Sequence, residues 1–250
     1  MVPSNAPPPQ SAPLQPKWLL AVAVPVLLVG IAAGWLLHDS GPADRAGIEK
    51  IVREYILNNP EVLPEAMENL RRKENAKQLT GIRSDVEKPF PGAVMGNPEG
   101  SVTLVEFTDF ACGYCRQSVA DVARLAKENP DLRIVIRELP ILSPESADAA
   151  RMALAAAEQG KYTAFHNAMF AAGRPSQQTI AAAAKAAGLD MGRAAKVSAS
   201  KAVEAELARN LDLARQLGFN GTPSWVAGDD VLSGAVGFDR LSQAVAAARG

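Results

Sequence analysis

Cysteine is nearly missing from this chain. Cys112 and Cys115 are the only two among 250 residues. A bare C-x-x-C is often half of a zinc site, but no second pair exists here. The two histidines, His38 and His166, do not supply ligand spacing either. An excess of one charge is also missing: 26 Lys and Arg stand against 27 Asp and Glu, a net charge of −1. No basic block or basic-aromatic stripe occurs, so nucleic acid is not an expected partner. No internal repeat is visible.

The chain has the means to build a sizeable core, with 48% hydrophobic and 21% charged residues. Residues 1–17 are rich in Pro, with Ser, Gln and Asn, and are expected to be a disordered tail. Trp18 to Leu37 carry no charge. Such a run is long enough to cross a bilayer as a helix and longer than a usual signal-peptide core. Residues 18–37 are therefore expected to be a transmembrane anchor, with a cleaved signal sequence or a buried core helix as the alternatives. Either export reading places the rest of the chain on the extracytoplasmic face. Lys17 before the span and Asp39 and Asp44 after it favour the N-terminus inside.

Residues 38–88 are expected to form a helical stalk and linker. Ile48, Ile51, Val52, Tyr55 and Ile56 recur at helical spacing, with charges on the other face. Asn58-Asn59-Pro60 ends that helix. A second helix is predicted from about Pro64 to Ile82. These helices, within residues 44–83, either pack on the main domain or associate with copies of themselves. Residues 84–101 are rich in Pro, Gly, Ser and Asn and read as a connection.

An apolar strand follows, Val102 to Phe107, then the cysteines, then a helix to Asn129 with Val119, Val122, Ala123 and Ala126 as its expected buried stripe. Leu132 to Leu139 is a second strand. Strand, helix, strand at this length is a βαβ unit with parallel strands. Residues 143–217 are Ala-rich and helical, broken near Gly160, Gly173-Arg174-Pro175, Gly188 and Gly192. Ser224–Ala227 and Val231–Ser233 flank a turn signal and read as a hairpin. Phe238 to Arg249 is a closing helix with Leu241 and Val245 inside. The order makes an α/β domain with a helical insertion.

Phe107-Thr-Asp-Phe-Ala-Cys112-Gly-Tyr-Cys115 lies where that first strand hands over to a helix. Two cysteines one helical turn apart can bring their Cα atoms to the roughly 5–6 Å that a disulfide prefers. At a helix N-terminus the peptide dipoles favour the thiolate, the attacking species. The pair thus reads as redox-active, with a zinc site or an inert structural disulfide as the bland alternatives. Glu106 stands in an apolar strand of the kind buried on both faces. Burial there raises a carboxyl pKa, so Glu106 is a candidate to take or relay the Cys115 proton; the alternative is a solvated edge residue. Asp109 is nearer the cysteines, in a loop, and ranks lower. His166, on an aromatic-rich helix, reads as a packing residue.

The cysteine motif, the helical insertion, and Gly221-Thr222-Pro223 ahead of a hairpin and final helix, taken in order, resemble the DsbA-like thiol:disulfide oxidoreductase family, over residues 89–250. The resemblance implies an α/β thioredoxin-like fold with a helical insertion at about 143–217, preceded by the transmembrane helix and the short helical stalk. It implies Cys112 as the nucleophile and Cys115 as the resolver, joined by a reversible disulfide. It implies a cis Thr222–Pro223 bond facing the pair, with the backbone of Thr222 offered to an extended substrate peptide. Thr222, Pro223, Gly113 and Tyr114 are the expected substrate-contacting residues, and Gly113-Tyr114 also tunes redox poise. Strongly oxidising relatives favour Pro-His between the cysteines. Gly-Tyr, with Thr before the proline, is more like the isomerase and reductase members.

The expected function is thiol:disulfide exchange on exported, cysteine-containing proteins through a mixed disulfide, from a site in the periplasm anchored to the inner membrane through residues 18–37. No cofactor and no metal is called for, because the electrons reside on the two sulfurs. The alternatives are a disulfide isomerase or reductase kept reduced by a membrane redox partner and, in another class, a non-enzymatic copper-binding thiol protein. A homo-oligomer through residues 44–83 is the remaining expectation.

Overall fold

The computed structural model describes residues 45–249. The expectations for residues 1–17, for the span at 18–37 and for the start of the linker lie outside the described residues. The expected fold is corrected at this point. Among the described residues no helix is long and apolar enough to cross a membrane, so the transmembrane helix does not form part of the fold set out below.

The chain divides into two compact units between Pro64 and Glu65. In the first, α1 (Arg45–Asn58) buries no residue. Ion pairs at i,i+4 spacing, Arg45–Glu49 and Lys50–Glu54, lie along it. They are exposed and hold little energy. Asn59 ends the helix by donating from both its main-chain N–H and its side-chain amide to the Tyr55 carbonyl. Pro60 follows, and α2 (Val62–Leu79) begins.

In the second unit, α2 ends on Leu79, which is fully buried, and α3 (Arg83–Glu87) buries Val86. Both residues fall in the stretch read from sequence as stalk and linker, and both belong to the core. Five strands form one sheet: β1 (Val94–Gly96), β2 (Val102–Thr108), β3 (Leu132–Glu138), β4 (Ser224–Ala227) and β5 (Asp230–Ser233), in the order β1-β3-β2-β4-β5. The β2 and β3 strands are parallel, as a βαβ unit requires, with α4 (Gly113–Glu128) as the crossover. The other pairings, β1–β3, β2–β4 and β4–β5, are antiparallel.

The pleat of β2 and β3 separates two apolar layers. Leu104, Ile134 and Ile136 face one cluster, together with Val122 and Leu125 of α4 and Leu241 and Val245 of the closing helix. Val105, Phe107 and Val135 face the other, with Leu79, Val86, Leu213 and Phe219. Both faces are covered, which is why these strands read as nearly unbroken apolar runs.

The helical insertion consists of α5 (Pro144–Ala157), α6 (Tyr162–Ala172), α7 (Gln177–Ala186), α8 (Met191–Ser198) and α9 (Lys201–Gln216), and α10 (Gly237–Ala247) closes the chain. Side-chain caps start several of them: Ser143 on α5, Ser176 with Thr179 as a reciprocal box on α7, Asp190 on α8 and Ser200 on α9. Gly192 lies inside α8 rather than breaking the chain, and the break comes at Ala199-Ser200. The buried stripe of α4 is Cys115, Ser118, Val122 and Leu125. Ala123, assigned to it from sequence, is exposed.

Candidate active site

The cysteine motif sits where β2 ends and α4 begins. Cys112 is the N-cap of α4, with φ −79° and ψ 119°. Its Sγ accepts the N–H of Cys115 at 3.4 Å, the bond a capping side chain makes to an otherwise unpaired donor of the first turn. Its thiol also donates to the Thr222 carbonyl at 3.2 Å. Both cysteines are free thiols. Cys112 is 6% exposed and Cys115 is 1% exposed, so an incoming group meets Cys112 first.

Burial pushes the Cys115 thiol up, and the negative charge of Glu106 adds to that effect. Glu106 is itself buried in β2, opposite Trp225 of β4. Burial pushes its carboxyl up to about 8. A carboxyl and a thiol that each resist ionisation therefore lie close enough to influence one another, on the side of the pair away from solvent. Glu106 is thus buried, as expected of a strand covered on both faces, and is not a solvated edge residue.

Thr222 and Pro223 lie across from the cysteines, and the bond between them is cis. Pro223 is buried and its carbonyl accepts from Gly234 N–H at 2.8 Å. Ser224 ties the loop by donating from Oγ to the Gly221 carbonyl at 2.8 Å. Gly113 is exposed, with open space where a side chain would stand. Tyr114 is 63% exposed, its ring held in solvent close to Cys112 in sequence.

Three features of the site were not found from sequence. Asp109, ranked low for chemistry, is fully committed to the backbone. Its Oδ1 accepts from Ala111 N–H at 2.8 Å, and its Oδ2 accepts from Ile141 and Leu142 N–H at 2.9 and 3.0 Å. It fastens the loop before the cysteines to the loop after β3. That second loop holds Ile141 and Leu142 out in solvent. A cleft of about 340 Å³ opens beside Ala111, lined by Leu142, Ser143, Glu145, Arg174 and Pro175. Phe110 plugs the same loop into α6, with ring centroids 5.9 Å from Phe165, 5.9 Å from His166 and 4.9 Å from Phe170. His166 is among these rings, and burial pushes it down to about 4, which fits its reading as a packing residue.

The third feature is Glu138, at the end of β3 and fully buried. Tyr162 donates its hydroxyl to Glu138 Oε1 at 2.7 Å. Burial pushes both groups well up. As for metals, among the described residues no group of three or more His, Cys, Asp or Glu side chains could hold an ion. The two thiols are the soft donors that remain.

Comparison with known proteins gives this geometry its family. The DSBA-like thioredoxin domain matches residues 103–246. The copper resistance protein ScsC N-terminal domain matches residues 44–77. A thioredoxin-like oxidoreductase from Silicibacter pomeroyi is similar in structure, with 42% identity and a TM-score of 0.64, over 67% of this chain and 97% of that one. A periplasmic thioredoxin-like protein from Salmonella enterica serovar Typhimurium has 27% identity and a TM-score of 0.58, over 67% and 95%. The thiol-disulfide exchange protein alpha-DsbA2 from Wolbachia pipientis has 26% identity and a TM-score of 0.65, over 71% and 97%. Among curated sequences, the Na(+)/H(+) antiporter NhaA 3 of Salinispora tropica is 32% identical over 160 residues, 62% of this chain and 24% of that protein. The chain thus spans about a quarter of the length of the curated relatives it matches. The chain belongs to the DSBA-like thioredoxin domain family.

Proposed function

We propose that the protein exchanges disulfides with exported, cysteine-containing proteins in the periplasm, with Cys112 as nucleophile and Cys115 as resolver. The observation that carries this reading is the asymmetry of the pair: Cys112 is the more exposed and caps a helix, while Cys115 is buried beside Glu106. The Cys115 N–H, at the N-terminus of the helix, meets Cys112 Sγ at 3.4 Å. The Cys112 thiolate attacks a substrate disulfide, one substrate sulfur leaves as a thiolate, and a mixed disulfide forms. Cys115 then gives its proton to Glu106 and attacks Cys112 Sγ, and the second substrate sulfur leaves with the electron pair. Read backwards, the same steps oxidise a substrate dithiol. The periplasmic location is drawn from the Salmonella relative.

Substrate docks on the apolar residues around Cys112, namely Tyr114, Ile141 and Leu142, with Gly113 leaving room for a close backbone approach and Thr222 and Pro223 forming the opposite wall. The test is insulin reduction by the parent, together with trapping in variants. Cys115→Ala should accumulate mixed disulfides with exported proteins, and Cys112→Ala should not. Trapping by Cys112→Ala instead would reverse the roles.

A second reading, an isomerase held reduced by a membrane redox partner, is favoured by the helices before the domain. Along one face of α1, Ile48 is 51% exposed, Ile51 68%, Val52 50% and Tyr55 57%. Exposed apolar stripes of this kind mark interaction surfaces. The partner surface proposed is a second copy of the same helices, which carry the exposed stripe over the stretch matched by the ScsC N-terminal domain, residues 44–77. Several reactive pairs in one assembly raise the effective concentration of thiol at a substrate without any new contact.

A further inference from the structure

Beyond α2, the large apolar side chains that stand exposed among the described residues are Tyr114, Ile141, Leu142 and Met191. The first three belong to the docking surface given above. Met191 does not: it opens α8, deep in the helical insertion. A lone exposed methionine is ordinary on a protein surface, but this one lines a cavity of about 530 Å³. Met152 of α5 and Ile180 of α7 share the lining. Ile180 belongs to the core and Met152 packs against it, so the inner wall is apolar and firmly held. The volume is in the range of cavities that take ligands.

The cavity follows on from the cleft beside Ala111. That cleft is lined by Ser143 and Glu145, at the start of α5, and by Arg174 and Pro175, just before α7. The cavity is lined by Asp148 and Met152, farther along α5, and by Gln177 and Ile180, farther along α7. Glu145, Asp148 and Met152 stand at i, i+3 and i+7, so they share one face of α5. α5 packs against both α7 and α8. One furrow thus leads from the residue before Cys112, along α5, to Met191. Met152 comes nine residues after Ser143, roughly 14 Å along the helix axis. An extended chain, at about 3.3 Å per residue, covers that length in about four residues.

The rim has no preference of charge. Glu145 and Asp148 are matched by Arg174 and Arg151, and Arg151 pairs with Asp148 at 3.6 Å. Selection therefore falls to the apolar wall. Two of its members are methionines, whose unbranched thioethers adapt to side chains of different shape. A folded protein keeps most of its large apolar residues inside, whereas an unfolded chain offers them.

We propose that the furrow between α5 and α7 seats the unfolded stretch of substrate next to the reacting cysteine, and that the cavity of Met152, Ile180 and Met191 takes a large apolar side chain roughly five residues from that cysteine. One residue fills the cleft and about four more reach the cavity. This rests on the exchange reaction proposed above and names its substrate class: extended chains with an apolar residue at that distance. The cavity takes no part in the chemistry. It strengthens the encounter that precedes attack by Cys112.

The experiment uses the reduced full chain and soluble peptides whose single cysteine is blocked by thionitrobenzoate. Cys112 attacks the peptide sulfur, the bond to thionitrobenzoate breaks with its electron pair on the leaving sulfur, and absorbance gives the second-order rate. One leucine is moved stepwise away from the cysteine, first on one side and then on the other. The rate should peak with leucine at about the fourth to sixth position on one side, about tenfold above the leucine-free peptide. Met191→Asp and Ala181→Arg, both at exposed positions on the cavity, charge it or fill it. Each should cut the peak to about twofold or less. Equal rates along the whole leucine series would overturn the furrow and leave the exchange reaction standing. A peak that survives in both variants would overturn the role of the cavity. A peak that fades as protein concentration rises would put a second copy in the furrow, against the proposal. A leucine-free peptide that reacts no faster with the parent than with Cys112→Ala would overturn the exchange reaction, and the furrow with it. If one variant does not fold, the leucine series in the parent and the other variant still decide.

Discussion

Two thiols three residues apart meet different surroundings, and the separate roles proposed for them rest on that difference. Cys112 is the more exposed of the two, while Cys115 is sealed behind it. Iodoacetamide should therefore modify Cys112 first in the reduced protein, as read by peptide mass after partial labelling, and preferential labelling of Cys115 would refute the assignment. Glu106 makes a second prediction, in stability. Its folded value is about 8 against an ordinary 4.5. Between those values the folded chain holds a proton that the unfolded chain has lost. The stability this group contributes is thus complete below about pH 4.5 and drains away as pH rises to about 8. Glu106→Gln does not titrate. Its advantage over the parent, both reduced, should grow by about 1.4 kcal/mol per pH unit across that window. Urea unfolding at several pH values measures it, and a constant difference would place Glu106 in solvent. The cysteines and Glu106 were legible from local signals, such as a carboxylate inside an apolar run, and Thr222 and Pro223 only through the family resemblance. Glu138 was not. It precedes Leu139-Pro140 and reads as a wet strand end. Tyr162, which covers it, arrives only after a whole helix.

Among the elements, β2, α4 and β3 could be read because the hydrophobic period changes from one to the next. β1 could not, because three residues carry no period, and its partner β3 is supplied from far along the chain. The placement of α3 was equally hidden, since it depends on a side chain from elsewhere. Arg137 of β3 is fully buried and donates to the main-chain carbonyls of Asp85, Val86 and Lys88, at and after α3. It also holds Glu206 and Asn210 of α9. Glu206→Ala leaves that guanidinium buried without its counter-charge. The loss should be about 3–5 kcal/mol in urea unfolding, against a smaller loss when both partners are replaced by apolar residues. A change under about 1 kcal/mol would mean that the pair is solvated. The loop after β3 carries a prediction for substrate. Leu142→Asp should lower kcat/KM on a protein disulfide by about tenfold, from roughly 1.5 kcal/mol of lost apolar burial. The rate with glutathione, which is too small to cover that residue, should stay as in the parent. Equal losses on both substrates would move Leu142 from docking to structure.

At the scale of the whole molecule, the amphipathic pattern of residues 44–58 was plain in the sequence, but its partner was not, because an apolar stripe does not say what covers it. With Leu79 and Val86 in the core, deleting residues up to Pro89 would damage the domain, so substitution is the sounder test. Ile48→Asp with Ile51→Asp and Tyr55→Asp should convert an oligomer to a monomer in sedimentation, with the melting temperature of the α/β domain unchanged. A parent that sediments as a monomer would count against isomerisation. The central claim, that Cys112 and Cys115 form a reversible redox pair, is tested most directly by titrating the full chain against glutathione buffers and counting free thiols. The account predicts one reversible two-electron transition, absent in Cys112→Ala and in Cys115→Ala. A pair that stays closed in every buffer would make it an inert structural disulfide, and a pair that never closes would make it a metal-binding dithiol; either result would contradict the account.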